Sequence, residues 1–119
     1  MQELIKAAAL FIASLTATPA VADRVFVSNE RSNTVTVIDA STWEVISEFS
    51  AGQRPRGITV SPDGTKLYVC ASDDNLVRVF DTSTYQELYT LPSGPDPELF
   101  VLSPNGIVLY IANEDDNLV

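Results

Sequence analysis

Residues 66–91 read KLYVCASDDNLVRVFDTSTYQELYTL, and residues 24–49 already read RVFVSNERSNTVTVIDASTWEVISEF. The constant shift that moves position 24 to position 66 aligns the sequence with itself without a gap, and we call this shift one repeat. Asn33, for example, falls on Asn75 and then on Asn117. A period of about 40–45 residues that contains several short strands is typical of a β-propeller blade. The repeat therefore predicts the fold class directly.

Four strands can be assigned within one period. RGITVS (56–61) is apolar and ends at an SPDG turn. KLYVCA (66–71) is apolar on both faces, which is typical of a strand covered on both sides. LVRVFD (76–81) alternates, and YQELYTL (85–91) follows as a half-exposed strand. Joined by short turns, these four strands predict one antiparallel blade.

The predicted organisation is all-β, an incomplete β-propeller of about two four-stranded blades. Residues 24–50 supply the last three strands of a first blade, residues 56–91 a full blade, and residues 98–119 the start of a third. Because propellers close with about four to eight blades, we expect residues 23–119 to be part of a longer propeller. An open stack would expose apolar sheet faces and strand edges, so we do not expect a well-folded monomer.

Residues 1–22 differ in character from the repeat. The apolar run AAALFIASL (7–15) is followed by Ala20-Val21-Ala22, which matches the small-residue cleavage site of a secretory signal peptide. A short buried helix is the alternative, and the run is too short to span a membrane. We predict a signal-peptide helix over 1–22, cleavage after Ala22, and a periplasmic or secreted mature chain without a membrane span.

Composition excludes several functions. The net charge is −9, and a nucleic-acid partner would require a basic face. The sequence has no histidine, which excludes Ser-His-Asp catalysis and histidine metal ligands from this chain. Cys70 is the only cysteine and cannot form a disulfide within the chain. Its apolar neighbours predict a buried thiol.

The two ends of the predicted blades differ in how well they repeat. The SPDG and SPNG turns and the DAST and DTST turns recur almost unchanged, because Asp, Ser, Pro and Gly fix these turns locally. The loops at the opposite end vary, and Arg54 and Arg56 fall on Asp96 and Glu98 one repeat later. The candidate binding-face residues at this end are Arg54, Arg56, Asp96, Glu98, Glu30, Asp73, Asp74, Glu114 and Asp115.

This charge reversal has a functional and a structural interpretation. Positions that contact one asymmetric ligand or partner should differ from blade to blade, and arginine is suited to carboxylate recognition. Alternatively, Arg54 or Arg56 pairs with Asp96 or Glu98 across neighbouring blades. The acidic loops lack the spacing of a calcium loop, and two acids at i and i+2 are weak evidence for acid–base catalysis. We therefore predict no catalytic residue, no metal ligand and no cofactor in this chain.

The motifs VFVSN, LYVCA, LYIAN, NTVTVID and NLVRVFD, with the SPDG and SPNG turns, resemble the YVTN type of β-propeller repeat. Longer phrases such as GQRPRGI and LPSGPDPELF are similar to secreted propellers associated with pyrroloquinoline-quinone (PQQ)-dependent alcohol catabolism. The resemblance implies a periplasmic seven-bladed propeller, with PQQ linked only by association. It also implies a quinoprotein dehydrogenase or its cytochrome as the partner.

Three functions follow as hypotheses. The first is a non-enzymatic binding or scaffold propeller that supports quinone-dependent alcohol oxidation. The second is a lactonase-like hydrolase whose carboxylates at 96, 98 and 114–116 act as metal ligands or bases, an interpretation that rests on fold analogy. The third is a surface-adhesion propeller.

Overall fold

Three antiparallel sheets follow one another along the chain, as a computed structural model of the protein shows for residues 23–115. The predicted signal peptide (1–22) and residues 116–119 lie outside the described residues. Sheet 1 has strand order β1-β2-β3, sheet 2 β4-β5-β6-β7, and sheet 3 β8-β9. The strands are β1 (Arg24–Asn29), β2 (Thr34–Asp39), β3 (Val45–Ser50), β4 (Pro55–Val60), β5 (Lys66–Ala71), β6 (Leu76–Asp81), β7 (Glu87–Pro92), β8 (Pro97–Leu102) and β9 (Leu109–Asn113).

The sequence repeat appears directly in the strand pairing. In sheet 1, β1 pairs with β2 so that Arg24 lies opposite Asp39. In sheet 2, β5 pairs with β6 so that Lys66 lies opposite Asp81, which is the same register one repeat later. A register shift also recurs, between residues 37 and 38 in sheet 1 and between residues 79 and 80 in sheet 2. The all-β fold is thus confirmed, and sheet 2 has the four antiparallel strands expected of one complete blade.

The core lies between successive sheets. One buried cluster joins Val35 of sheet 1 to Leu67 and Val69 of sheet 2. A second cluster joins Cys70 and Val77 of sheet 2 to apolar side chains of sheet 3. Because side chains alternate across a strand, β5 is buried on both faces, as its apolar sequence predicts.

The first strands of neighbouring blades approach closely at Gly57 in β4. A Cβ atom there would lie 2.6 Å from the backbone oxygen of Glu98 and 3.1 Å from the Cα of Leu99, both in β8. Only glycine allows this separation, since backbone atoms cannot rotate away. The contact brings the start of β4 and the start of β8 together, which positions the charged loops described below.

The repeated turns have a local structural explanation. Asp81 accepts hydrogen bonds from the Ser83 hydroxyl and from the backbone N–H groups of Ser83 and Thr84, and these bonds lower its pKa to about 2. Asp39 makes the equivalent contacts one repeat earlier. The turn ends with a residue at positive φ, Trp43 or Tyr85. These residues recur because the turn requires them.

The structure contains one element that the sequence did not indicate. A single turn of 3-10 helix, Ser72–Asp74, follows β5 in the loop to β6. Among residues 23–115, no helix has the length and apolar character needed to cross a membrane.

Candidate functional site

The charged end is the end of the sheets formed by the loops at 29–33, 51–56, 71–75, 93–98 and 113–115. Its backbone follows the repeat even where its charges do not. The Arg54 N–H donates to the Asn33 side-chain oxygen at 2.8 Å, and one repeat later the Asp96 N–H donates to Asn75 at 3.0 Å. All four residues have positive φ, a conformation that asparagine tolerates better than most residues. The repeated asparagines therefore hold the loops, and the side chains at 54 and 96 are free to differ.

Arg54 contacts carboxylates from all three sheets. Its Nε lies 3.0 Å from Glu30 Oε1, in the loop after β1. Its Nη1 lies 3.4 Å from Asp73 Oδ1, after β5, and 3.6 Å from Asp96 Oδ1, before β8. Hydrogen bonds to Glu30 and Asp73 raise the pKa of Arg54, and the Arg54 hydrogen bond lowers the pKa of Glu30. One guanidinium thus links three consecutive blades.

Arg56 links the second blade to the third. Its Nη2 pairs with Glu98 on the neighbouring strand β8, and its Nη1 lies 2.9 Å from Glu114 Oε2. Arg56 and Glu98 are 22% and 31% exposed, so the pair is shielded from solvent more than a typical surface ion pair. Pairing between 54 and 96 and between 56 and 98 across blades, expected as the structural interpretation, is therefore confirmed. A binding role for these residues stays a prediction.

Asp74 does not join the network of Arg54 and Arg56. It pairs instead with Arg78 of β6 at 2.9 Å, and Arg78 also contacts Glu87 of β7 at 2.6 Å. Burial acts to raise the pKa of Asp74, but the Gln53 N–H and the Arg78 guanidinium outweigh it, so the pKa is lowered. Sequence reasoning missed Arg78 because it treated that side chain only as the polar face of an alternating strand.

A groove between sheets 1 and 2 lies beside the trio formed by Asp74, Arg78 and Glu87. It encloses about 490 Å³ and is lined by the trio and by the rings of Phe49 and Tyr85. The guanidinium of Arg78 is already held on both sides by carboxylates. The groove therefore offers no unpaired cation from Arg78 to an anionic ligand.

The contacts of Arg54 and Arg56 leave the charged end acidic. Five carboxylates share two guanidinium groups: Glu30, Asp73, Asp96, Glu98 and Glu114. Three of them, Glu30, Asp73 and Glu114, are at least half exposed at their side chains, and Asp115 is exposed beside Glu114. The most exposed side chains of this cluster are thus carboxylates, and Arg54 and Arg56 are less exposed than they are.

Two buried oxygens at this end, Asp96 Oδ1 and Asn113 Oδ1, find no hydrogen-bond donor among the described residues. A buried acceptor without a hydrogen-bond donor destabilises the folded state, so such atoms are rare in native proteins. Within residues 23–115, no group of three or more Asp, Glu, Cys or His side chains is arranged to hold a metal ion.

Residues 20–119 match the family model described as lactonase, 7-bladed beta-propeller. No curated protein matches the sequence. Among solved structures, Kuenenia stuttgartiensis hydrazine synthase is 34% identical with a TM-score of 0.74, over 77% of this chain and 26% of its own. A candidate 6-phosphogluconolactonase of Bacteroides fragilis is 26% identical with a TM-score of 0.70, over 77% of this chain and 29% of its own.

A third similar structure is the dihydro-heme d1 dehydrogenase NirN, determined in complex with DHE. It is 23% identical with a TM-score of 0.67, over 86% of this chain and 23% of its own. At this identity the likeness concerns the fold alone. The chain spans between 23% and 29% of the length of these three proteins.

Proposed function

The chain belongs to the lactonase, seven-bladed β-propeller family, and we propose that it serves as a binding propeller rather than as a catalyst. Its charged end recognises a partner that carries a positively charged surface. The observation that carries the proposal is the excess of carboxylates at an end built from three blades: five of them share Arg54 and Arg56, Asp115 is exposed beside them, and Arg31 is the one other arginine in these loops. An acidic surface of this kind attracts a basic partner and accelerates its association.

The differences between the repeats support the same function. Asn33 and Asn75 hold equivalent loops in equivalent conformations, so the backbone does not require Arg54 or Asp96 in particular.

We further propose that the partner is a periplasmic quinoprotein dehydrogenase or its cytochrome, and that the mature chain is exported. This finer proposal is supported by the resemblance of the sequence to PQQ-associated secreted propellers and by the signal-peptide pattern of residues 1–22. Unchanged alcohol oxidation in a clean deletion strain would contradict this finer proposal. It would not contradict the recognition of a basic surface, which the binding assay below tests separately.

Binding can be tested with the full gene product that carries this sequence. We expect it to co-purify with its partner and to release the partner as salt is raised, because exposed charges are screened. Asp73→Lys and Asp115→Lys should each weaken binding, while Glu44→Lys, at the opposite end of sheet 1, serves as the matched control. Binding that is insensitive both to salt and to the two charged-end variants would contradict the proposal.

Lactone hydrolysis is the second candidate function. The family match and the likeness to a candidate 6-phosphogluconolactonase favour it. Under this hypothesis Asp96 is the candidate base, because its Oδ1 accepts no hydrogen bond from the described residues and the nearest cation, the Arg54 guanidinium, lies 3.6 Å away. Hydrolysis of 6-phosphogluconolactone by the full gene product, with and without added divalent metal ions, tests it. Activity that Asp96→Asn abolishes would favour the enzyme over the binding propeller.

A further inference from the structure

The groove between sheets 1 and 2 has the size of a small-molecule site. It encloses about 490 Å³, which lies within the usual range for ligand pockets. Its walls come from the end of β3 and the loop after it, and from β6, β7 and the loops beside them. All the lining residues lie between positions 49 and 87, so blades that pack on the two sides of the stack would leave these walls in place.

The trio of Asp74, Arg78 and Glu87 presents hydrogen-bond donors and acceptors side by side in this groove. Arg78 contacts one oxygen of each carboxylate, Asp74 Oδ2 at 2.9 Å and Glu87 Oε2 at 2.6 Å. The other two oxygens, Asp74 Oδ1 and Glu87 Oε1, accept no hydrogen bond from residues 23–115. Each Nη nitrogen of Arg78 also carries a second N–H beyond the one used in its ion pair.

This mixture of groups selects against a charged ligand. An anion would be repelled by the two carboxylates and would leave their remaining oxygens without donors. A cation would be repelled by the guanidinium and would leave the remaining N–H groups of Arg78 without acceptors. A hydroxyl group both donates and accepts, so a neutral ligand with several hydroxyl groups satisfies both sets.

The rest of the lining suits a ligand that is polar at its edge and apolar on its face. Gln53, in the loop after β3, and Gln86, just before β7, contribute amides that donate and accept. The rings of Phe49 and Tyr85 stack on each other at 5.4 Å and 6° and supply an apolar wall. Sugar rings have this character, with hydroxyl groups at the edge and C–H groups on the face.

The backbone at Gly52 fixes the trio in place. Gly52 has a φ of 86°, and a Cβ atom there would overlap Arg78 Nε and would lie 2.7 Å from Asp74 Oδ2. Arg78 and Asp74 therefore pack directly against the main chain, and the Gln53 N–H donates to Asp74 Oδ2 at 3.0 Å. Side chains that are held before the ligand arrives lose less conformational entropy on binding.

The blade itself does not require these polar side chains. The equivalents of the trio in sheet 1 are uncharged: Ser32, Thr36 and Val45. One repeat after Ser50 and Gln53, which line the groove, stand Pro92 and Pro95, which have no side-chain hydrogen-bonding group. The polar lining thus belongs to this one groove and not to the repeat.

We propose that the groove between sheets 1 and 2 binds a neutral sugar. Asp74, Arg78 and Glu87 hydrogen-bond to its hydroxyl groups, and its C–H face packs against Phe49 and Tyr85. The site uses none of the carboxylates that pair with Arg54 and Arg56, so this inference goes beyond the proposed function.

Isothermal titration calorimetry of the full gene product with glucose and with galactose tests the ligand class. We expect at least one of the two sugars to bind with saturable heat. Its amino derivative, glucosamine or galactosamine, and its acid derivative, glucuronate or galacturonate, should each bind at least about tenfold more weakly, because each places a charge beside a like charge of the trio.

Two variants test whether the sugar binds in the groove. Arg78→Thr and Glu87→Val each introduce the residue that sheet 1 has at the equivalent position, so both are compatible with a blade. Each should raise the dissociation constant about tenfold or more, because hydrogen bonds to a charged group are lost. Lys66→Thr is the matched control, since it also removes a charge from sheet 2 but lies outside the groove, and it should leave the dissociation constant unchanged.

Circular dichroism checks that each variant is folded. If Arg78→Thr does not fold, Glu87→Val still tests the site, because the Glu87 side chain is 39% exposed. Three outcomes would overturn the proposal. Neither neutral sugar binds, or a charged derivative binds more tightly than its neutral parent, or the folded groove variants bind the sugar with the wild-type dissociation constant, which would indicate a site elsewhere.

Discussion

Reversing the charge of Arg56 tests whether the ion pair between neighbouring blades stabilises the stack. Arg56→Glu removes the pairs with Glu98 and Glu114 and places three carboxylates together. Each lost pair and each new repulsion is worth about 0.5–1 kcal/mol for partly exposed charges. The four changes together predict a loss of about 2–4 kcal/mol in the free energy of unfolding, measured by urea denaturation.

The double variant Arg56→Glu with Glu98→Arg separates the pair from its surroundings. It restores one attraction with reversed polarity, so it should recover about 1–2 kcal/mol of the loss, while the repulsion from Glu114 remains. Glu44→Arg is the control, because Glu44 is exposed and makes no ion pair within the described residues, and it should change stability by less than about 0.5 kcal/mol. A double variant no more stable than Arg56→Glu alone would refute the cross-blade pair.

The same variants separate stability from recognition. If the pair has only a structural role, the double variant should restore both folding and partner binding. If folding returns and binding does not, the polarity of the pair itself is recognised. That second result would support the charged end as a binding surface.

Three other predictions concern the close approach at Gly57, the aspartates of the turns and the buried thiol of Cys70. Gly57→Ala should destabilise the protein by about 1–3 kcal/mol, because the new Cβ would meet backbone atoms of β8; a melting temperature no lower than that of wild type would refute the close approach. The lowered pKa values of Asp63 and Asp81, about 2 against 3.8, contribute stability above pH 3.8 that is lost as the pH falls toward 2. Asp81→Asn should therefore flatten the fall in melting temperature over that window, and an unchanged profile would contradict the turn's contribution. Burial raises the pKa of Cys70 to about 12, so a thiol reagent in mildly alkaline buffer should label the native protein far more slowly than the urea-unfolded protein; equal rates would show that the thiol is accessible.

Much of the fold could be predicted because the repeat constrains it. The β5 and β6 strands begin and end where their apolar patterns do, at residues 66–71 and 76–81. Burial of Cys70 also followed from its neighbours and is confirmed. A period in sequence becomes a period in structure when each unit packs on the next, so the register of one blade predicts that of its neighbour.

The contacts at the charged end were only partly predictable. The cross-blade pairs were expected because positions 54 and 96, and 56 and 98, are one repeat apart and opposite in charge. The contact of Arg54 with Glu30 joins residues 24 positions apart, and the trio around Arg78 joins β6 to β7 and to the loop before β6. Such contacts depend on how long side chains cross between loops, which neither the repeat nor the alternation of a strand encodes.

The stacking of blades in the register of the repeat is tested most directly by side-chain contacts in solution. Nuclear Overhauser effects between the rings of Phe49 and Tyr85 report whether sheet 2 packs on sheet 1. We predict strong ring-to-ring effects for this pair, whose centroids are 5.4 Å apart, and for Phe49 with Phe80 at 5.1 Å. A folded chain in which the Phe49 ring contacts only residues of its own sheet would contradict the account.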